Sequence, residues 1–323
     1  MKNYDVVALG ELLVDFTQNG ISEQGNWIME ANPGGAPCNV LAMLAKLDHS
    51  VSFIGKVGND MFGKMLCSRI EALGIGTENL VFSDKYTTTL AFVRTSEDAE
   101  RDFSFYRNPG ADAMLKKGEI LSELIYGAKF FHYGSLSMTN DMALYATKRA
   151  LKKAKQAGVL CSFDPNLRLS LWGDESLARE RILFGLSECD VLKIAHDELE
   201  FVTGEKSIQD GVDRLRSNFN IPLITVTKGK EGSEAFFFGA NTSLHDSCPA
   251  FTDVNTIDTT GAGDTFCACV LHEILCGGLR FFTKERLHKM LVFANAASSL
   301  ITTRKGALSV MPDRAEIMKL ISE

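Results

Sequence analysis

Short runs of β-branched and aromatic residues alternate along this chain with longer stretches whose apolar positions recur at helical spacing. That alternation predicts a mainly parallel sheet layered between helices, a three-layer α/β/α architecture. Val6-Val7-Ala8-Leu9 reads as a buried strand ending at Gly10, and further strands are expected at 51–54, 130–133, 160–163, 191–194 and 223–227. Helices are expected at 63–72 and 141–157, with two more, 263–276 and 284–299, closing the chain. Two segments, 11–33 and 86–111, break the rhythm. They hold alternating patches such as Thr89-Leu90-Ala91-Phe92-Val93 and Phe103-Ser104-Phe105-Tyr106 with no helix between them. Such patches predict antiparallel strands in a small separate sheet, a lid near the carboxyl ends of the parallel strands, where ligands of open α/β folds bind. The resulting division puts residues 1–10, 34–85 and 112–323 in the main α/β domain and residues 11–33 and 86–111 in a β lid subdomain.

Composition narrows the class only a little. The 323 residues are 45% apolar and 23% charged, ordinary for a soluble globular protein and enough for a large core with an appendage. A formal charge of −7 argues against nucleic-acid partners, which require a basic surface. It leaves nucleotides open, because a few backbone N–H groups can hold a phosphate. The eight cysteines form no CxxC pair and no zinc-type spacing with histidine, so they read as free, mostly buried thiols in a reducing compartment. No apolar run approaches the length of a membrane span and no leader is evident at the N-terminus, so a cytoplasmic protein with no membrane partner is expected.

The segment Asp258-Thr259-Thr260-Gly261-Ala262-Gly263-Asp264 carries the most chemistry. It leads into a helix whose apolar positions Phe266, Val270, Leu271, Ile274 and Leu275 share a face. Gly261, Ala262 and Gly263 therefore fall at a helix N-terminus, where backbone N–H groups lack intrahelical partners and the helix dipole favours an anion. Small side chains let that backbone approach a ligand. Asp264 beside such a cradle would repel a phosphate unless it served as a general base in phosphoryl transfer; the alternative is an aspartate that only caps the helix. Three near-matches fail. Gly58 to Lys64 fits the start of a P-loop, but Met65 stands where a magnesium-binding hydroxyl is required. Gly261-Ala262-Gly263 lacks the third glycine of a dinucleotide fingerprint, Phe266 occupying its place, and His272-Glu273-Ile274-Leu275-Cys276 lacks the second histidine of HExxH.

With these segments in order, the chain resembles the ribokinase-like PfkB carbohydrate kinase family, and within it the fructokinases, over essentially its whole length. Gly34-Gly35-Ala36-Pro37-Cys38-Asn39 resembles the family's N-terminal signature, Gly55-Lys56-Val57-Gly58-Asn59-Asp60 its G-x-V-G-x-D element, and Asp258–Asp264 its C-terminal signature. The resemblance implies a nucleotide-binding main domain and a lid that covers the sugar and mediates a homodimer. It implies amides at Gly261–Gly263 that hold the transferred group, and Asp264 as the base. Asp15, Gly34, Gly35 and Asn39 would bind sugar, the carboxylate accepting two hydroxyls; a turn cap at Asp15 and a plain hinge at Gly34-Gly35 are the alternatives. Arg107, in a segment like the fructokinase lid strand, would reach sugar or transferred charge, or stand solvated. Arg168, in Phe163-Asp164-Pro165-Asn166-Leu167-Arg168, would contact substrate or pair with Asp164.

On the nucleotide side the resemblance implies ATP contacts from Lys193, Thr227, Gly229, Gly232 and Asn295, and Glu198 ordering Mg²⁺ through water. The family's N-x-x-E element departs here, Ala195 replacing the asparagine while Glu198 stays. A potassium ion could lie among Asp258, Thr260 and carbonyls around Gly306, oxygen ligands suited to a hard cation, or Asp258 could simply pin its loop. The implied reaction is transfer of the γ-phosphoryl of ATP to a primary hydroxyl, fructose first, with 2-keto-3-deoxygluconate, ribose or a riboside as alternatives. A sugar sensor of the same fold without turnover is the alternative from another class.

Overall fold

Residues 3–95 and 101–323 are described by the structure, a computed structural model; the side chains of 93–95 and 101–103 lie outside that description. Residues 96–100 of the expected lid, and Phe103 as a side chain, therefore lie outside the described residues. Thirteen strands are described: β1 Val6–Leu9, β2 Leu13–Ile21, β3 Trp27–Gly34, β4 Val51–Gly58, β5 Ile75–Ser83, β6 Leu90–Thr95, β7 Arg101–Tyr106, β8 Phe130–Gly134, β9 Leu160–Asp164, β10 Val191–Ala195, β11 Leu223–Thr227, β12 Ser233–Phe238 and β13 Ser243–Cys248.

Nine of them form one sheet in the order β13-β12-β11-β10-β9-β8-β1-β4-β5. It is parallel from β11 to β5 and antiparallel only where β12 and β13 join the edge. Strand β1 shows why the middle strands are apolar without alternation. Val6 and Ala8 enter one hydrophobic core and Val7 and Leu9 the other, so each face of the strand is covered. The first core includes side chains from the helices Ala36–Lys46, Met61–Ala72, Ala262–Gly277 and Lys284–Ile301. The second includes side chains from Asp141–Gln156, Glu175–Glu188, His196–Thr203 and Ile208–Asn218. The three-layer α/β/α expectation thus corresponds to two cores separated by one sheet. Among the described residues no helix is long and apolar enough to cross a membrane.

The chain builds β4 and β5 on one side of β1, then β8 to β11 on the other, so the strand order reverses at β1. A crevice at the carboxyl ends is the natural ligand site of such a sheet. Expected strands and helices agree with the structure to within a few residues, except at β4, which runs on to Gly58 because all eight of its residues are buried.

The second sheet has the order β3-β2-β6-β7. The hairpins β2–β3 and β6–β7 are antiparallel as expected, but they meet through a parallel pairing, Val14 opposite Leu90 and Thr17 opposite Val93. The reason is directional: β2 and β6 follow β1 and β5 in turn, and both leave the same carboxyl edge of the main sheet. Phe16 stacks on Phe92 at 4.9 Å between ring centroids and receives the edge of Phe62 at 5.6 Å, which ties this sheet to the helix Met61–Ala72.

Candidate active site

Two helix N-termini converge at the carboxyl edge of the main sheet. Gly261 adopts φ 80°, a left-handed conformation that glycine accepts without strain, and delivers the chain into the helix Ala262–Gly277. Asp264, in the first turn, is buried, and its Oδ2 accepts a hydrogen bond of 2.7 Å from Asn39 Nδ2 in the first turn of the helix Ala36–Lys46. Burial pushes the Asp264 carboxyl above its ordinary range, against the Asn39 hydrogen bond and the Lys193 charge. On the other side, a β-carbon placed on Gly263 would stand 2.9 Å from Lys193 Nζ. Asn39, Lys193 and Asp264 thus line one cavity of about 650 Å³.

The first end of this cavity is acidic. Asp15, on β2, lies there because Gly34 has no side chain; a β-carbon at 34 would fall 2.1 Å from Asp15 Oδ2. Gly35 has φ 128°, and a β-carbon there would meet the Glu11 carbonyl at 2.4 Å. Both glycines therefore shape the pocket and are more than a hinge. Burial raises the Asp15 carboxyl to about 7, Arg168 opposing and Asp258 and Asp264 adding to the rise. Glu11, just past β1, also lines the cavity and was not singled out from the sequence. Its Oε1 accepts from the Ala36 amide at 2.9 Å, its Oε2 is buried without a partner, and burial raises it to about 7. The cue in the sequence is a carboxylate directly after Gly10 at the end of an all-apolar strand. Asn39 Oδ1 is a second buried acceptor without a partner. Unsatisfied acceptors in a polar cavity suit a ligand rich in hydroxyl donors.

The second end lies beyond β9, β10 and β11. Lys193 Nζ pairs with Asp164 Oδ2 at 3.1 Å. Burial works against the ammonium, but Asp164, Glu198 and Asp264 outweigh it and hold the lysine charged. Glu198 closes its own helix start, accepting from the Ala195 amide at 2.9 Å and the Leu167 amide at 2.6 Å, and burial raises its carboxyl despite Lys193. Backbone amides fix this carboxylate, so alanine at 195 does not displace it. Thr227 and Gly229 line the same end. Asn166, held at φ 43°, lines the cavity too and was missed; an asparagine after Asp-Pro at a strand end is its only cue.

Several expectations need correction. Arg107 neither lines the cavity nor stands solvated: it is buried, with Nη2 2.6 Å from Asp112 Oδ2 and further bonds to Thr139 Oγ1 and the Leu136 carbonyl. Asp112, five residues on, neutralises it locally. Arg168 lines the cavity but does not pair with Asp164, which Lys193 engages instead. Asn295 is spent on bracing, accepting from Ser233 Oγ and donating to the carbonyls of Cys248 and Pro249. Gly232 is off the cavity; at φ 93° it packs where a β-carbon would touch the Cys248 carbonyl at 2.1 Å. The Ala262 amide donates to the Thr259 carbonyl at 3.3 Å, so among the three small residues the anion cradle rests on Gly261 and Gly263.

Asp258, Thr260 and Gly306 do come together. With Asp15, Thr17 and Asn32 they line a small cavity of about 40 Å³ beside the main one. Asp258 Oδ1 also accepts from the Thr260 amide and hydroxyl, at 2.9 and 2.6 Å, so it pins the loop as well.

The chain and its fold are similar to known proteins. The profile described as pfkB family carbohydrate kinase matches residues 3–314. Fructokinase-2 of Oryza sativa subsp. japonica is 39% identical, over 98% of this chain and 94% of that protein. The fructokinase of Xylella fastidiosa with bound ATP superposes with a TM-score of 0.87 at 29% identity, over 99% of this chain and 98% of that one. A double mutant of the Vibrio cholerae O395 fructokinase, bound to fructose, ADP and potassium ion, superposes with a TM-score of 0.84 at 28% identity, over 99% and 100% of the two chains. Sequence and fold agree, and the chain belongs to the pfkB family of carbohydrate kinases.

Proposed function

We propose that this protein is an ATP-dependent fructokinase that phosphorylates a primary hydroxyl of fructose to give fructose 6-phosphate. The observation that carries the reading is the position of buried Asp264, hydrogen-bonded to Asn39 and within the field of the Lys193 ammonium. Fructose would occupy the end lined by Glu11, Asp15 and Asn39, whose acceptors match its hydroxyls. ATP would occupy the end lined by Lys193, Thr227 and Gly229, its γ-phosphate at the Gly261 and Gly263 amides and the Lys193 ammonium. The named relatives act on, or are bound to, fructose, ATP and ADP, which supports this choice over other sugars.

The chemistry is in-line displacement. Asn39 occupies Oδ2 of Asp264, leaving Oδ1 to accept the hydroxyl proton as the sugar oxygen bonds to the γ-phosphorus and the bond to ADP breaks. A carboxylate whose proton affinity burial has raised is a better base than a free aspartate. The glycine amides and Lys193 would stabilise charge on the transferring group. Mg²⁺ arriving with ATP would neutralise the phosphates, and Glu198, anchored by two amides, would hold its water shell. The Asp258, Thr260 and Gly306 oxygens suit a potassium ion next to the cradle. The small sheet serves as lid, and its exposed Ile21, Trp27, Ile28 and Tyr106 support a homodimer through that sheet. Eight unpaired cysteines support a reducing, cytoplasmic setting.

A coupled ADP-release assay over a panel of sugars tests the reading, with fructose expected to give the highest kcat/KM. Asp264→Asn should lower kcat by about 10²–10⁴-fold, the range of general-base catalysis. Fructose affinity in that variant should stay within tenfold of the parent, and near-normal turnover would refute the base assignment.

A further inference from the structure

At the far end of the helix Ala262–Gly277, two side chains of the helix meet a third that is distant in sequence. His272 and Cys276 stand one turn apart on that helix, and His49 enters from the loop between the helix Ala36–Lys46 and β4. His49 Nε2 lies 2.7 Å from His272 Nδ1, and Cys276 Sγ lies 3.9 Å from either ring nitrogen of His272. All three ligand atoms fall within 4.8 Å of one another. Asp5 Oδ2 stands behind His49, 3.7 Å from Nδ1.

We propose that His49, His272 and Cys276 form a binding site for a thiophilic divalent transition metal, Zn²⁺ by its chemistry, with the fourth position open to water.

Two nitrogens and a thiolate are a donor set that zinc prefers and that Mg²⁺ does not. Tetrahedral zinc places such atoms roughly 3.3–3.6 Å apart, given bonds of about 2.0–2.3 Å. The two nitrogens must therefore part by less than about 1 Å, and the sulfur must close by a similar amount. Cys276 is exposed and can make that swing. Asp5, 3.7 Å from His49 Nδ1, is placed to receive the Nδ1–H of a ligating histidine, leaving Nε2 to face the metal. Phe293 stacks on the His272 ring at 5.8 Å between centroids and fixes its plane. Lys129, paired with Asp5, and Arg314 near His272 oppose a cation; the thiolate and Asp5 offset them.

This site is separate from the transfer site. Cys276 follows Asp264 by twelve positions on the helix, about 18 Å at 1.5 Å per residue. The metal would clamp the far ends of two helices whose near ends are joined by the Asn39–Asp264 hydrogen bond.

The test is calorimetric titration of chelator-treated, nucleotide-free protein with ZnCl₂, alongside Co²⁺ absorption. One equivalent should bind, with a thiolate-to-cobalt charge-transfer band, and Zn²⁺ should raise the thermal midpoint. Cys276→Ser and His49→Gln should each weaken Zn²⁺ at least tenfold. Cys276→Ser should also lose the cobalt band while retaining kinase activity, so the result is read independently of the sugar assay. Absence of stoichiometric binding, or zinc affinity unchanged in both variants, would overturn the proposal.

Discussion

Glu11, Asp15 and Asp264 bring three carboxyls to one cavity, and burial raises the proton affinity of each. Such groups act on stability in the opposite sense to an ordinary surface acid. A carboxyl raised to about 7 in the fold and near 4 in the unfolded chain leaves the native state holding the extra proton between those values. Stability of the sugar-free protein therefore falls as pH rises from about 4 to about 7, the penalty standing in full above that window. Glu11→Gln and Asp15→Asn remove the penalty. Each should raise the thermal midpoint at pH 8 more than at pH 5, measured by calorimetry without sugar. An equal shift at both values would mean that neither carboxyl is raised in the native state.

Helix starts and the glycines before them do most of the positioning. Gly34 and Gly35 lead into the helix carrying Asn39, and Gly261 leads into the helix carrying Asp264. Gly34→Ala puts a methyl 2.1 Å from Asp15 Oδ2 and must displace that carboxylate. The expected outcome is a fructose KM raised at least tenfold with ATP KM nearly unchanged, read from initial rates. An unaltered fructose KM would remove Asp15 from the sugar site. These positions were legible because each motif is contiguous and its geometry local: a small-residue run before an amphipathic helix makes a cradle wherever it occurs. Arg107, Asn295 and Gly232 were not, because their partners Leu136, Ser233 and Cys248 are fixed by packing between elements.

At the scale of the molecule, the small sheet carries several exposed apolar side chains. Ile21, Trp27, Ile28 and Tyr106 are 63%, 59%, 46% and 67% exposed, all on or beside the small sheet, where a monomer would leave them in water. Sedimentation velocity should find a dimer, and Trp27→Asp should shift it toward monomer. A monomeric parent protein would remove the homodimer from the reading. Initial rates with and without potassium should differ several-fold if an ion occupies the oxygen-lined cavity around Asp258, since its charge would sit beside the cradle.

Alternation of apolar runs and amphipathic stretches is enough to specify a covered parallel sheet, because each strand and helix must bury its apolar face against a neighbour. The glycine-rich segment at 261–263 predicts an anion-binding helix start because that geometry is local, and the sugar site was legible only through the family that both glycine-rich segments resemble. Tertiary structure alone decided which charges are free to act. It put Lys193 on Asp164 instead of Arg168, buried Arg107 against Leu136 and Thr139, and left Glu11 with an unpaired oxygen at the cavity. It also joined the lid hairpins in parallel and brought His49 to His272 across 223 residues. Those outcomes depend on the order and direction in which distant elements pack, and no single segment of the chain carries that information.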